Sequence, residues 1–169
     1  MNDGYYLSLS TTTGRITSST SYFGTNSSSV LGITGSNSGI INANTKKIIA
    51  YCWAEIEGYS KFGSYVGNGS TDGPFVYCGF KPAWVMIKQT NDANNWHIAD
   101  SSRKSVNPVN MVLRANISNS ESANNSSFDI DFLSNGFKLR STNDELNENA
   151  STYIFMAFAE SPFQTANAK

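Results

Sequence analysis

A chain of 169 residues is long enough for one domain, or two small ones, with a real core. Its 12 Lys and Arg stand against 13 Asp and Glu, giving a formal net charge of -1 with no basic stripe interleaved with aromatics. That excludes a polyanion-binding surface, so no nucleic-acid partner is expected. The start, "MNDG", has neither the basic residues nor the apolar core of a signal peptide. The longest apolar runs, "IIAYCWA" (48–54) and "YIFMAFA" (153–159), suit buried strands and fall far short of a membrane span, so no membrane insertion is expected.

Ser, Thr and Asn make up about a third of the chain, and aromatic and β-branched residues recur between them. This is the composition of an all-β protein displayed outside cells or on a virion, with short strands joined by polar turns. The spacing predicts strands at 5–9, 28–34, 47–57, 74–79, 83–90, 95–100, 110–115, 127–133, 136–140 and 152–160. "NDANN" (91–95) between "AWVMIKQT" and "WHIAD" reads as a hairpin turn, and Asn135-Gly136 as a second one. The predicted fold is an antiparallel β-sandwich, jelly-roll or lectin-like, with the two apolar runs as central strands.

Self-similarity organises these elements. At an offset of 105, "NANTKKIIAYCWAEIEGYS" (42–60) aligns with "NENASTYIFMAFAESPFQT" (147–165), matching Asn42 with Asn147, Trp53 with Phe158 and Glu55 with Glu160. Residues 1–57 read as a partial repeat, the second half of a unit; 58–78 as a glycine-rich connector; and 79–169 as a complete repeat, all packed as one domain. Cys52 and Cys78 both fall in predicted strands, which favours two buried free thiols over a disulfide.

"GSYVGNGSTDGPFVYCGFKPAWVMIK" (63–88) raises the question of a phosphate loop. Gly67-Asn68-Gly69-Ser70-Thr71-Asp72-Gly73 misses the dinucleotide spacing by one residue and leads into Pro74 and a strand rather than a helix. The glycines read as turn residues. With one histidine and two strand-borne cysteines no zinc site is expected, and no calcium motif is completed by Asn68, Ser70 and Asp72. No cofactor is expected. His97 and Asp100 have no serine elbow to join, and His97 reads as half-exposed on a hairpin strand. Glu55 with Glu57, and Asp129 with Asp131, each share one strand face, so neither pair spans a glycosidase cleft. Loop aromatics beside amides are the chemistry of sugar recognition. The candidate ligand residues are therefore Tyr59, Tyr65, Asn68, Asp72 and Tyr77 in the glycine-rich region, with Asn94 and Asn95 at the hairpin tip. Trp53, Trp84 and Trp96 read as core.

The run from Tyr51 to Lys88, followed by "NWHIADSSR", "LSNGFKL" and "YIFMAFAESPF", resembles a domain recurring in tail fibres and other structural proteins of tailed phages, marine phages above all. The resemblance covers about 45–163. It implies a virion-surface component with a part in host attachment, and it brings no catalytic residues. The function expected is a non-enzymatic tail-fibre or adhesin domain touching a host glycan or protein receptor. Its expected partners are other virion proteins or itself, as a homo-oligomer with a trimer favoured. Two alternatives come from other classes. One is an assembly or capsid-decoration protein with a broad apolar interface. The other is a polysaccharide-degrading tailspike-type enzyme.

Overall fold

The computed structural model describes residues 5–17, 27, 29–33 and 47–162, and the chain divides into two units. The first comprises residues 1–7 and 15–53. In it β1 (Tyr5–Tyr6) pairs antiparallel with β2 (Ile16–Thr17), and the Arg15 guanidinium lies 4.1 Å over the Tyr5 ring. The expected strand at 28–34 shows, in its described part, only a bridge residue at Ile33. The expected central strand at 47–57 is absent. Ile49, Tyr51 and Trp53 are 79%, 74% and 60% exposed, and residues 47–55 have no regular structure. Trp53 is therefore not core, and stacks on Tyr51 at 6.2 Å instead. Both cysteines are free as expected, but Cys52 shares the exposure of its segment and only Cys78 is buried.

The second unit, residues 8–14 and 54–169, is an all-β antiparallel sandwich. Its strands are β3 (Ser60–Val66), β4 (Phe75–Tyr77), β5 (Pro82–Gln89), β6 (His97–Asp100), β7 (Leu113–Arg114), β8 (Ile130–Leu133), β9 (Gly136–Leu139) and β10 (Thr152–Ala159). A one-turn helix, α1 (Asp144–Asn147), is capped by Asn143, whose Oδ1 accepts from the Glu145 amide at 2.9 Å. One sheet runs in the order β3-β10-β5-β6-β7 and the other in the order β4-β9-β8. The stretch read as a connector, 58–78, carries β3 and β4, an edge strand of each sheet.

Alternation assigns the faces. On β10, Tyr153, Phe155 and Ala157 are buried while Ile154, Met156 and Phe158 are half-buried. The inward set packs with Val85 and Ile87 of β5 and, from the other sheet, Val76, Ile130, Phe132, Phe137 and Leu139. Both hairpin expectations hold: β5 pairs with β6 (Ile87 with His97), and β8 with β9 (Leu133 with Gly136). The loop between β6 and β7 is tied by Arg103. Its backbone amide donates to Asp100 Oδ1 at 2.8 Å, and its guanidinium donates to Asp100, Glu121 Oε2 (2.8 Å) and the Ile98 carbonyl (3.0 Å).

Candidate functional site

The seven ligand candidates do not converge. Tyr65 is core: its ring stacks on Tyr153 at 5.0 Å, and its hydroxyl donates to the Leu146 carbonyl at 2.7 Å. Burial holds its phenol well above the ordinary value, with the neighbouring Tyr153 adding to the effect. Tyr59 is half-buried and meets Phe158 edge-on at 5.9 Å. Asn68 is spent on its own turn. Its Oδ1 accepts from the Ser70 amide at 3.0 Å, and its Nδ2 donates to the Asp72 carbonyl at 3.0 Å. The exposed Asp72 pairs with Lys138 at 2.9 Å, which holds its carboxyl below the usual range. Asn94 donates to Gln89, and Asn95 donates to Glu145 Oε2 at 3.3 Å. Of the three aromatic candidates, only Tyr77 is exposed, at 64%.

Two clefts meet at Tyr77. One, of about 360 Å³, is lined by Glu55, Glu57, Gly58, Ser60, Lys61, Tyr77, Cys78 and Gly79. The other, of about 330 Å³, lies between the edge strands and is lined by Lys61 to Tyr65, Phe75 to Tyr77, and Phe155. The local sequence explains this opening. Residues 56–60 close a tight turn, in which the Tyr59 and Ser60 amides donate to the Ile56 carbonyl at 2.9 Å, with Gly58 at φ 71°. The turn carries Glu55 and Glu57 beside the start of β3. Across the cleft, the Cys78 and Gly79 amides donate to the Asn135 carbonyl of the β8–β9 turn (2.9 and 3.1 Å). Gly79 adopts φ 82°, and a Cβ built there lies 3.5 to 3.9 Å from the Tyr77 ring and hydroxyl, so the glycine sits directly against the tyrosine.

The charged groups of the cleft are two carboxylates and one ammonium. Glu55 accepts from Lys61 Nζ at 2.9 Å and from the Phe62 amide at 3.4 Å, and the lysine contact lowers its pKa. Glu57, also exposed, has no ion-pair partner among the described residues. Cys78 is buried, and burial pushes its thiol up to about 12. The other acid pair is also engaged: Asp131 accepts from Arg140 Nε at 2.6 Å and Asp129 from Asn110 Nδ2 at 2.7 Å.

The second polar concentration surrounds α1 and was missed in the sequence. Asn147 is fully buried; its Oδ1 accepts from the Asn68 amide at 2.8 Å. The two N–H donors of its Nδ2 face three acceptors, the Ser70 and Ser141 carbonyls (2.8 Å each) and Asn68 Oδ1 (3.0 Å). Glu145, 4% exposed, accepts from Arg114 Nε at 2.9 and 3.1 Å. Burial raises its pKa, and the His97 and Arg114 contacts more than offset that, leaving the carboxyl below its ordinary value. His97 is not half-exposed but 1% exposed, stacked on Phe128 at 5.4 Å. Its Nδ1 lies 3.5 Å from Glu145 Oε1, too far for a good hydrogen bond, and burial lowers its pKa. The inward face of β6 put it there, opposite Ile87. No cluster of three or more potential metal ligands occurs among the described residues.

An antiparallel all-β sandwich with an open aromatic and charged cleft at the rim of both sheets is the class that fold and geometry define. The chain belongs to the family described as domain of unknown function DUF7483, whose match runs over residues 1–162. No curated protein and no solved structure matches it.

Proposed function

We propose that this chain is a non-enzymatic structural component of a phage virion, a tail-fibre or adhesin domain displayed on the particle and touching the host cell surface. The resemblance of Tyr51–Lys88 and the later segments to phage fibre domains points to the setting. The observation that carries the binding role is the contrast in side-chain engagement. Asp72, Asp129, Asp131 and Glu145 are each held by a basic or amide partner, whereas the rim at Tyr77 leaves an aromatic ring and the Glu57 carboxylate open. Engaged acids serve the fold; an open aromatic beside polar groups serves recognition.

The outer face of the five-stranded sheet supports self-association. Phe62, Trp84, Ile98, Ile154, Met156 and Phe158 are half-buried there, over an apolar cleft of about 260 Å³ lined in part by Met86 and Ile154. A homo-oligomer, with a trimer expected, would multiply weak rim contacts into firm attachment. The same face is the feature that favours the assembly-protein alternative. The deciding experiment is saturable adsorption of the fluorescently labelled chain to a panel of bacterial cells, with its mass in solution measured by light scattering. Trimers that adsorb support the reading. A chain that adsorbs to no cells overturns it in favour of an assembly role.

A further inference from the structure

The chemistry of the Tyr77 cleft selects a ligand class. Tyr77 offers an exposed ring, and Gly79 sits against it without a side chain to cover it. An aromatic face is the partner for the apolar C–H face of a pyranose. Around it stand groups that address hydroxyls: the Glu57 carboxylate, without an ion-pair partner among the described residues, and the Lys61–Glu55 pair, which supplies a donor and an acceptor at the cleft wall. Ser60 is not available, since its hydroxyl donates to the Ala54 carbonyl at 2.9 Å and accepts from the Ile56 amide at 3.2 Å. The volume, about 360 Å³, lies at the small end of ligand sites, which suits a terminal sugar better than a long chain.

Charge narrows the choice further. Two carboxylates and one ammonium line this cleft, so its local balance is negative. An acidic sugar is repelled, and a neutral or amino sugar is not. We propose that the cleft formed by Tyr77, Glu57, Lys61 and Glu55 binds a non-acidic pyranose at the end of a surface glycan. This inference rests on the attachment reading and gives it a receptor chemistry.

The test is saturation-transfer NMR on the full chain with methyl β-glucoside, methyl β-galactoside, methyl α-mannoside, glucosamine and glucuronate as separate probes. At least one neutral or amino probe is expected to show transfer, concentrated on one C–H face of the ring. Tyr77→Ala is expected to abolish it, while Tyr77→Phe, which keeps the ring, retains it. Glucuronate is expected to bind about fivefold more weakly at low salt, from unit-charge repulsion at an exposed site. Absence of transfer from every non-acidic probe, or equal transfer in Tyr77→Ala, overturns the proposal, as does glucuronate binding as tightly as the neutral sugars. Cell adsorption, measured in parallel, separates the two readings. Adsorption without sugar transfer removes the sugar site and leaves attachment standing; sugar transfer without adsorption removes attachment and leaves the site.

Discussion

The sandwich treats its polar residues in opposite ways at two places. Around α1, the side chains of Asn147, Glu145 and His97 are withdrawn from solvent, and the Asn147 amide alone has four hydrogen-bonding groups within reach. At the rim beside β4, Tyr77 and Glu57 face water and the cleft stands open. Both places draw on one glycine-rich stretch. Its first half, from Tyr65 to Asp72, is stitched to α1: the Gly69 amide donates to the Asn147 carbonyl at 2.9 Å. A Cβ on Gly67 would stand 2.2 Å from the Glu148 carbonyl oxygen. Its second half, from Phe75 to Gly79, forms the edge. A buried hydrogen-bonded network ties the glycine-rich stretch to α1, whereas the rim side chains stand free of it.

If that division is correct, substitutions at the α1 end cost stability and those at the rim do not. The largest effect is expected from Tyr65→Ala. It removes a buried ring stacked on Tyr153 and packed edge-on against Phe137 at 6.3 Å, and the cost is about 3–5 kcal/mol in urea unfolding. Tyr65→Phe keeps the ring and strands the Leu146 carbonyl, for a loss of about 1 kcal/mol. Asn147→Ala is expected to cost about 3 kcal/mol, because it leaves the Ser70 and Ser141 carbonyls without their shared donor. A variant as stable as the parent at either position would mean that the α1 network is decoration on a core that stands alone.

The next effect is set by pH. His97 has its pKa lowered below 6.5 by burial, opposed by Glu145 on α1 and reinforced by Arg114 on β7 and Arg103 after β6. The unfolded chain therefore takes up a proton near pH 6.5 that the folded chain refuses. Stability is complete above that value and falls as pH drops toward the folded pKa, by at most about 1.4 kcal/mol per pH unit. Urea midpoints measured between pH 7 and 5 should fall in the parent, and the His97→Gln variant should lose that component of the slope. An unchanged slope would place the titration elsewhere and separate His97 from the network.

Strand alternation was legible because it is a local property. The segments 83–90 and 152–160 became β5 and β10 with nearly the expected bounds, and the hairpin after residue 90 formed as its polar turn implied. What stayed illegible depends on partners distant in sequence. "IIAYCWA" and "YIFMAFA" have the same apolar character, yet the second is hydrogen-bonded on both sides by β3 and β5 while the first is irregular and exposed. The seven-residue β3, "SKFGSYV", lacks a clear hydrophobic period, and only pairing with β10 makes it a strand. Lys88 is the sharpest case. It is wholly buried, its Nζ donating to the Gln89 and Asp92 carbonyls at 2.6 and 3.2 Å, and burial lowers its pKa. A lysine in a strand reads as solvent-facing, and no local pattern could say otherwise. The candidate site shared this fate. Tyr65 and Tyr77 were alike as aromatics near glycines, and only the register of their strands set one in the core and the other at the rim.

The smallest expected change is Tyr77→Ala, and for that reason it is the most discriminating. The ring is 64% exposed on an edge strand, with its neighbour Val76 carrying the packing at 6% exposure. Its loss should move the unfolding free energy by no more than about 0.5 kcal/mol. The backbone around it is held independently of the side chain, by the Cys78 and Gly79 amides on the Asn135 carbonyl and by pairing of β4 with β9. A loss of adsorption to cells at unchanged stability therefore reads directly as loss of a contact. A drop of 2 kcal/mol or more would show instead that the tyrosine braces Gly79 and the β4 edge, and the rim would then belong to the fold as the α1 end does.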